Sequence, residues 1–391
     1  MRGMRATMLR RFYNPAVRNL LLGGLSPQEF LARHWQRRPL LVRGAMPQFR
    51  DLLDREALAR LLARDDVESR LIEHHRARWA VTHGPLTRAQ LRRAGARDWT
   101  VLVSGLNLHL PAAERLLRRF DFIPQARLDD LMLSVAAPGG GVGPHEDAYD
   151  VFLLQGSGRR RWRLCPPRRF RFVRDAPLRL IEDFAPDEEL LAEPGDLLYL
   201  PPGWGHDGVA LEPCTTYSIG FRAPLGEELA AAFLDWLHAR GLPGGRYRDP
   251  GLRLSRHPAR VPPAMIGHAA DTLARIRWTR RDVARFLGAY LSTPKPQIAF
   301  HPPRRALARA AFAARLRRAA VVLDARTQLL VLGRTLFVNG EPLDLPAAQR
   351  RVLVALADAR RLEGAPLARA ALADLLYAWY RQGYLHLETA A

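Results

Sequence analysis

Short apolar runs separated by glycine and proline turns dominate the centre of the chain. Such runs predict β-strands, and several short strands joined by turns favour a sandwich or barrel over a parallel sheet. The sequence Gly156-Ser157-Gly158 is typical of a hairpin connection between two of these strands. The predicted strands are Leu131–Ala137, Tyr149–Leu154, Arg160–Leu164, Asp196–Leu200 and Thr216–Phe221.

A helical pattern precedes these strands. Ser26 is a favourable helix N-cap, Pro27 stands at the first helical position, and Glu29 completes a capping box. We predict that this helix runs towards Pro39. The apolar residues Leu40–Val42 that follow predict a short buried strand.

The C-terminal part of the chain has a second helical pattern and then a small α/β pattern. Apolar residues recur at a spacing of three to four from Leu229 to Leu237, and Thr279–Asp282 is a second helix start. Asn339-Gly340 is a strong hairpin signal, and Gly383 is placed to end a helix. The predicted segments here are a linker at 294–303, strands at 330–338 and Leu343, and helices near 346–358 and 366–382, which together are compatible with a winged-helix module.

The composition is that of an ordinary globular protein. The 391 residues are 48% hydrophobic and 25% charged, which excludes wholesale disorder. Cys165 and Cys214 are the only cysteines, which excludes a disulfide scaffold, and no apolar run approaches the ~20 residues that span a bilayer. The basic segment 1–24 lacks the apolar stretch of a secretory signal, so we expect a cytoplasmic protein without membrane contact.

The charge of the chain leaves two interpretations open. There are 60 basic and 39 acidic residues, for a net charge of +21, and Lys295 is the only lysine. A basic surface attracts phosphate, so a nucleic-acid partner is one interpretation. Genomic base composition that favours arginine is the other. The segment 301–320, which has six arginines and no acid, fits a nucleic-acid surface but equally fits a solvated connecting helix.

The stretch 138–150 carries the most informative chemistry. In an extended segment, residues at i and i+2 point to the same face, so His145, Asp147 and Tyr149 project together while Glu146 points away. An imidazole beside a carboxylate supplies two ligands of a metal site.

His206 is the best candidate for the third ligand. It ends the stretch 194–206, in which turns bracket a strand, and a barrel would return it beside the first pair. Two histidines and one carboxylate form the facial triad of non-haem Fe(II) oxygenases, which leaves coordination positions open. Zinc is the competing metal, although zinc sites more often use cysteine or three histidines.

Arg160 lies on a predicted strand whose two faces differ. It shares one face with Trp162 and Leu164, which mark that face as interior, whereas the odd-numbered arginines from 159 to 163 share a solvated face. A buried guanidinium is costly unless an anion pairs with it. The carboxylate of a cosubstrate is one possible partner, and a structural ion pair is the other.

Asp130 and Ser134 alternate onto one face of the strand that leads into the metal stretch. If this face lines the barrel, Asp130 would hold a cationic substrate group, and Tyr149 would stack on that group or hydrogen-bond to it. A capping role at the start of the strand explains Asp130 equally well. Ser134 is a candidate, together with Arg160, for binding the cosubstrate.

These residues resemble the bacterial JmjC-type ribosomal oxygenases. The similarity covers roughly residues 25–240 and is looser beyond, and the block 138–163 is long and specific. Two positions depart from the family pattern. Ala136 stands where related sequences can carry a hydroxyl group, and Thr216 stands where some carry asparagine. The matching pieces are Arg33–Pro39, Thr82–Pro85, Asp129–Met132, Pro138–Asp147, Gln155–Arg163, Pro194–His206 and Tyr217–Pro224.

The resemblance implies the fold class and the domains. It implies an α+β chain with a double-stranded β-helix domain of the JmjC and cupin type over residues 1–226. A helical dimerisation region over 227–295 and a winged-helix domain over 296–391 would follow. A homodimer is therefore expected.

The resemblance also implies the chemistry. Fe(II) would be held by His145, Asp147 and His206, and 2-oxoglutarate would bind the iron with its distal carboxylate on Arg160. Asp130 and Tyr149 fall where the family grips the guanidinium of a substrate arginine. The implied activity is hydroxylation of an arginine in large-subunit ribosomal protein sixteen.

Other functions remain as alternatives at this point. One is an enzyme of the same fold that hydroxylates histidine or removes methyl groups. Another, from a different class, is a winged-helix regulator that binds nucleic acid, which the net charge favours. For the oxygenase, the surplus charge predicts at most a weak contact with rRNA where a ribosomal substrate is made or assembled.

Overall fold

The computed structural model describes residues 20–75 and 78–389, which form two compact units. The first unit extends to Ala223 and the second begins at Pro224. Most of the basic N-terminal segment lies outside the described residues. Among the residues that are described, no helix has the length and apolar character needed to cross a membrane.

The first unit is built mainly from strands. Short 3-10 turns lie at Leu20–Leu22, Leu106–Leu108, Arg118–Phe120 and Gln125–Arg127. Helices α1–α4 are Pro27–Arg33, Arg55–Leu62, Arg88–Arg93 and Pro111–Leu117. Strands β1–β12 are Leu40–Val42, Ser69–His75, Arg78–His83, Trp99–Val103, Leu128–Ala136, His145–Glu146, Val151–Gln155, Arg160–Cys165, Glu188–Ala192, Leu197–Leu200, Gly205–Ala210 and Cys214–Phe221.

Two antiparallel sheets form the barrel of this unit. The larger has the strand order β1-β10-β7-β12-β5-β4-β2-β3, and the smaller has the order β6-β11-β8-β9. Leu153 and Leu198 of the larger sheet pack with Trp162 and Leu164 of the smaller one, so part of the core lies between the sheets. Several neighbouring strands, such as β10 and β7, β7 and β12, and β11 and β8, are not consecutive in the chain, which is the crossover topology of a double-stranded β-helix and confirms the predicted barrel.

The helix start and the strands predicted for this unit exist, with shifted ends, but the predicted hairpin at Gly156-Ser157-Gly158 is wrong. β7 before it pairs with β10 and β12 in the larger sheet, whereas β8 after it belongs to the smaller sheet, so the turn carries the chain from one sheet to the other. The Ser26 hydroxyl accepts a hydrogen bond from the Glu29 amide at 3.2 Å, and the Glu29 carboxylate accepts one from the Ser26 amide at 2.8 Å. This capping box begins α1, but the helix ends at Arg33 rather than near Pro39. The predicted strand Leu40–Val42 pairs with β10 at the edge of the larger sheet and is only partly buried.

All five predicted central strands exist, but the sequence patterns missed others. β2–β4 extend the larger sheet, and β9 and β11 complete the smaller one. β11, Gly205–Ala210, contains two glycines and little β-branched sequence, so no strand pattern marks it. The strand predicted from Tyr149 also begins later than expected. Residues 147–150 form a turn, and β7 begins at Val151.

The second unit combines helices with two small sheets. The sheets have the orders β17-β13-β18 and β14-β15-β16. Helices α5–α11 are Gly226–Ala239, Pro263–Ala274, Arg280–Ser292, Arg309–Leu316, Ala347–Ala359, Gly364–Arg369 and Ala373–Gln382. Strands β13–β18 are Ala319–Leu323, Leu329–Leu332, Thr335–Val338, Glu341–Leu343, Arg361–Glu363 and Leu385–Thr389.

The predicted turns of this unit form as expected. Asn339 and Gly340 both have positive φ, +50° and +94°, as a type I′ hairpin turn requires. Gly383 ends α11 in the left-handed conformation with φ +79°. The segment predicted as one strand at 330–338 is instead a hairpin, β14–β15. The predicted helix at 366–382 is interrupted near Ala371, which has φ +57°.

Helix α7 packs on the β14–β16 hairpins. A Cβ atom added at Gly288 would lie 2.3 Å from the Phe337 ring, so the helix backbone and this ring are in close contact. The Ser292 hydroxyl accepts a hydrogen bond from the Gly340 amide at 3.1 Å. The predicted boundary at 295/296 does not anticipate this packing, because it separates α7 from the hairpins.

Candidate active site

Antiparallel pairing of β6 with β11 places two histidines side by side. His145 on β6 is directly opposite His206 on β11. The centroids of their rings are 4.2 Å apart. These residues are 61 positions apart in the chain, so only the sheet register brings them together.

Asp147 completes a cluster with the two histidines. The His206 Nε2 and Asp147 Oδ2 atoms are 3.7 Å apart, and one potential ligand atom from each of the three residues lies within 4.8 Å of the others. Asp147 reaches this position from the turn that follows β6. The structure therefore brings together the three residues that the sequence analysis assigned to a metal.

Backbone carbonyls orient both imidazole rings. The Nδ1 atoms of His145 and His206 lie 2.8 Å from the Gly143 carbonyl oxygen and 2.9 Å from the Trp204 carbonyl oxygen. A protonated Nδ1 that donates to these carbonyls leaves Nε2 with a lone pair for a metal. Burial of His206, together with the neighbouring His145, lowers the pKa of His206 to about 4, so its ring is neutral at physiological pH, as metal binding requires.

Glycines let the segment before His145 pass close to other backbone. A Cβ atom at Gly140 would lie 2.1 Å from the Trp99 carbonyl oxygen, and one at Gly141 would lie 2.5 Å from the Gly208 carbonyl oxygen. Larger residues would push this segment away from β11 and displace His145. The glycine run at 139–141 therefore lets the backbone hold His145 in position as a metal ligand.

Arg160 lies inside the barrel with only neutral hydrogen-bond partners. The residue is 3% exposed, and its guanidinium donates to the Gly208 carbonyl oxygen and to the Ser134 hydroxyl, both at 3.2 Å, and to Cys214 Sγ at 3.6 Å. Its Nε is buried without a hydrogen-bond partner, and no carboxylate of the described residues forms an ion pair with it. The Arg160 guanidinium is therefore a buried charge without a direct ion pair to a described residue.

Burial along β8 alternates as predicted. Arg160, Trp162 and Leu164 are buried, whereas Arg161 and Arg163 are only partly so. Trp162 lies opposite Gly208, where an added Cβ atom would be 2.5 Å from its ring. Because Gly208 has no side chain, the Trp162 ring fits against it, and the centroid of this ring lies 5.7 Å from the Arg160 guanidinium carbon.

Asp130 and Tyr149 flank a gap at Gly220. A Cβ atom at Gly220 would lie 3.6 Å from Asp130 Oδ1 and 4.0 Å from the Tyr149 ring. The other Asp130 oxygen, Oδ2, accepts a hydrogen bond from the Gly105 amide at 2.7 Å. The carboxylate is thus anchored through Oδ2, and its Oδ1 lies beside Gly220.

Tyr149 is 41% exposed at this gap. Partial burial of the phenol is the main cause that raises the pKa of Tyr149 above the usual value, and the negative charges of Asp147 and Asp130 raise it further. The hydroxyl therefore stays protonated. An aromatic ring beside two carboxylates is a suitable surface for a cation.

One cavity joins all these groups. Its volume is about 150 Å³, and three carboxylates and the Arg160 guanidinium are among the groups that line it. The lining residues are Leu102, Asp129, Asp130, Met132, Ser134, Val142, His145, Asp147, Tyr149, Val151, Leu153, Arg160, Trp162, His206, Thr216, Ser218 and Gly220.

The donor set fits Fe(II) and a dicarboxylate. Two imidazoles and one carboxylate are the ligands of non-haem Fe(II) oxygenases, and neither cysteine lines the cavity, which does not favour zinc. The buried guanidinium lacks the anion that would make its burial favourable. The distal carboxylate of 2-oxoglutarate would provide that charge when its other end reaches the metal.

Sequence reasoning missed a buried network next to the site. The Asp150 carboxylate is fully buried and accepts hydrogen bonds from the Tyr199 hydroxyl at 2.6 Å, from Gln36 Nε2 at 3.0 Å and from Arg127 Nη2 at 3.3 Å. It fixes the chain immediately after Tyr149. A buried aspartate that follows a polar turn carries no distinctive local pattern, because its partners come from three distant segments.

Comparison with known protein families identifies both units. Residues 115–229 match the JmjC domain family, and residues 275–386 match the ROXA-like winged helix. The first match contains every residue that lines the cavity except Leu102. The second contains α7 together with the hairpins on which it packs.

Curated relatives agree with these matches. The ribosomal protein uL16 3-hydroxylase of Escherichia coli is 37% identical over 334 residues, which cover 84% of this chain and 88% of the relative. A probable ribosomal oxygenase of Haemophilus influenzae is 36% identical over 239 residues, which cover 59% of this chain and 56% of the relative.

Solved structures show the same fold. The ribosomal oxygenase YcfD of Escherichia coli superposes with a TM-score of 0.80 at 33% identity, covering 92% of this chain and 98% of YcfD. A structure of YcfD in complex with cobalt and 2-oxoglutarate superposes with a TM-score of 0.78 at 34% identity, with the same coverage.

Fold and site together define the class of protein, an oxygenase dependent on Fe(II) and 2-oxoglutarate. Within that class, the chain belongs to the JmjC-domain ribosomal oxygenases. The predicted family, fold class, enzyme class and cofactors are thereby confirmed.

Proposed function

We propose that this protein hydroxylates an arginine side chain of ribosomal protein uL16 in the cytoplasm. The observation that carries the proposal is the gap between Asp130 and Tyr149, which opens into the same cavity as His145, Asp147 and His206. The similarity to a uL16 3-hydroxylase over most of both chains supports the choice of protein substrate.

The residues that line the cavity would have distinct roles in this reaction. Asp130 would receive the substrate guanidinium, and the Tyr149 ring would pack on its face, so that one carbon is held near the metal ligands. Arg160, supported by Ser134, would bind the distal carboxylate of 2-oxoglutarate. When bound, Fe(II) uses dioxygen and 2-oxoglutarate to supply the hydroxyl oxygen, with release of succinate and carbon dioxide. The apolar lining from Val151 and Leu153 would keep bulk water away from that chemistry.

Mass spectrometry of uL16 incubated with the protein, Fe(II) and 2-oxoglutarate tests this proposal. We expect a mass increase of one oxygen atom, which fragmentation places on an arginine. Relatives of 25% identity carry names that denote histidyl hydroxylation and lysine demethylation. Oxygen on a histidine, loss of a methyl group, or unmodified uL16 would contradict the assignment to arginine.

Charge removal at Asp130 tests the guanidinium contact. The amide of Asp130→Asn can still accept the Gly105 hydrogen bond, so the fold should be preserved. We expect the KM for an arginine-containing uL16 peptide to rise by about 10- to 100-fold, since a hydrogen bond to a charged group contributes ~1.5–3 kcal/mol. The KM for 2-oxoglutarate should be unchanged. Steady-state turnover at varied peptide concentration measures both.

A neutral substrate analogue is the control for this effect. With the target arginine replaced by citrulline, wild type and Asp130→Asn should bind the peptide equally. The matched protein control is Glu146→Gln, because Glu146 is paired with Arg179 at 3.3 Å and does not line the cavity. Equal losses in the Asp130 and Glu146 variants would show that general charge, not a contact at Asp130, binds the peptide.

We also propose that the protein is a homodimer through the helical region 227–295. Helix α6, Pro263–Ala274, has no buried residue in the described chain although it carries Met265, Ile266 and Leu273. Ile266 is 62% exposed and Leu273 is 66% exposed. A 12-residue helix is marginal alone in water, and an apolar surface of this kind is typical of an interface.

Charge introduced on α6 tests the dimer. We expect Ile266→Glu with Leu273→Glu to convert the protein to a monomer by sedimentation velocity, because buried carboxylates would be unpaired in the interface. Leu211→Glu, at an exposed apolar residue of the first unit, is the control and should leave the sedimentation coefficient unchanged. A monomeric wild type, or an unaltered double variant, would refute the interface.

A further inference from the structure

The surface around helix α8 carries arginines without acidic partners. Arg309 is paired with Asp374 at 2.6 Å, which accounts for one charge of the segment 301–320. Arg315, Arg317 and Arg318 at the other end of the helix are exposed and form no ion pair with any described residue. The segment has six arginines and no acidic residue among 20 positions. Its excess of basic over acidic residues is therefore much larger than that of the whole chain, which has 60 basic and 39 acidic residues.

A groove runs between these arginines. Its volume is about 570 Å³. Among the residues that the structure describes, only alanines and arginines line it, and none of the lining residues is acidic. The lining residues are Ala311, Ala314, Arg315, Arg317, Arg318 and Ala319. We call it the α8 groove.

The helix dipole accounts for only part of this cluster. The C-terminal end of a helix carries about half a negative charge, which favours a nearby cation. Three arginines exceed that charge several-fold, and the C-terminal turn of α8 contains no carboxylate to balance them. The α8 groove is therefore a net positive surface that a polyanion would neutralise.

We propose that the α8 groove binds the phosphate backbone of RNA. Guanidinium groups bind phosphates in a two-pronged geometry, and the alanines leave room for a strand to lie between them. The preference for RNA over an acidic protein rests on the proposed ribosomal substrate, which is made and assembled amid rRNA. Phosphate contacts carry no base information, so this surface would hold RNA without reading its sequence.

Salt-dependent RNA binding of the intact protein tests the proposal. The probe is a short fluorescein-labelled single strand from large-subunit rRNA, and fluorescence anisotropy measures its affinity. In the groove variant, Arg315→Gln, Arg317→Gln and Arg318→Gln are combined. Each lost phosphate contact removes about 0.7 from the slope of log K against log salt concentration. We expect the groove variant to lose about 2 units of slope and at least ~10-fold in affinity at about 50 mM salt.

A control variant with the same change of charge distinguishes RNA binding at the α8 groove from an effect of the overall net charge. Arg92, Arg93 and Arg97 are exposed arginines of the first unit without ion pairs to described residues, so their combined replacement by glutamine removes the same charge. This control should bind RNA like the wild type. Equal weakening in both variants would overturn the proposal, because it would reduce the effect to the overall charge.

Two further measurements make the outcome decisive. Polyglutamate should compete poorly, and competition equal to that of RNA would assign the α8 groove to acidic proteins instead. Hydroxylation of an isolated uL16 peptide should be unchanged in the groove variant. Because binding is measured without turnover, failure of uL16 hydroxylation and failure of RNA binding are separate results.

Discussion

Replacement of Asp147 by alanine is expected to abolish hydroxylation while leaving the fold intact. Asp147 is the only carboxylate in the ligand cluster, and its side chain is partly exposed in a turn, so its loss removes a metal ligand without opening the core. We expect turnover below about one thousandth of wild type, equivalent to at least ~4 kcal/mol of transition-state stabilisation. The charge-transfer absorption of anaerobic protein with Fe(II) and 2-oxoglutarate should also disappear.

Glu146→Ala is the matched control for this loss. The two carboxylates are adjacent in the chain, but Glu146 is paired with Arg179 outside the cavity. It should keep the charge-transfer absorption and turnover close to wild type. Substantial turnover in Asp147→Ala, or an equal loss in Glu146→Ala, would be incompatible with the assigned ligands. His145→Ala should lose the absorption as Asp147→Ala does.

Arg160→Met is expected to weaken 2-oxoglutarate binding selectively. Truncating one partner of a buried charge pair costs ~2–5 kcal/mol, so the KM for 2-oxoglutarate should rise by at least about 30-fold. Without the cosubstrate, the variant should unfold at a temperature no lower than wild type, because it removes a buried charge that has no acidic partner. Added 2-oxoglutarate should raise the unfolding temperature of wild type much more than that of the variant.

Arg161→Met controls for position on the strand. Arg161 neighbours Arg160 on β8 but points to the other face and does not line the cavity. Its replacement should leave the KM for 2-oxoglutarate unchanged. If Arg160→Met instead lowers the unfolding temperature in the absence of 2-oxoglutarate and keeps a normal KM, the guanidinium is a structural group and the cosubstrate lies elsewhere.

Much of the site could be predicted because its signals are local. Alternation along one strand is enough to place Arg160 on the face of Trp162 and Leu164, since successive side chains point to opposite sides. The capping box at Ser26 and the turn at Asn339-Gly340 are likewise encoded within four residues. These features depend on backbone geometry that neighbours in sequence control.

The contacts between residues of the site could not be predicted from local sequence patterns. β11 escaped detection because glycine replaces the β-branched residues that mark a strand, yet Gly208 is needed to accommodate Trp162. The hydrogen bonds from Arg160 to Ser134 and from Gly105 to Asp130 join segments 26 and 25 residues apart. No periodicity within either segment contains information about such partners.

By itself, the sequence determined which residue types stand at the ends of strands and on which face of a strand each side chain lies. Those facts follow from the period of two in a strand and from turn chemistry, both of which are local. Only the tertiary structure decided that His206 faces His145, that the Asp130 carboxylate lies across Gly220 from Tyr149, and that Arg160 has no acidic partner. Sheet register and burial settle these points, and both arise from packing of segments distant in sequence.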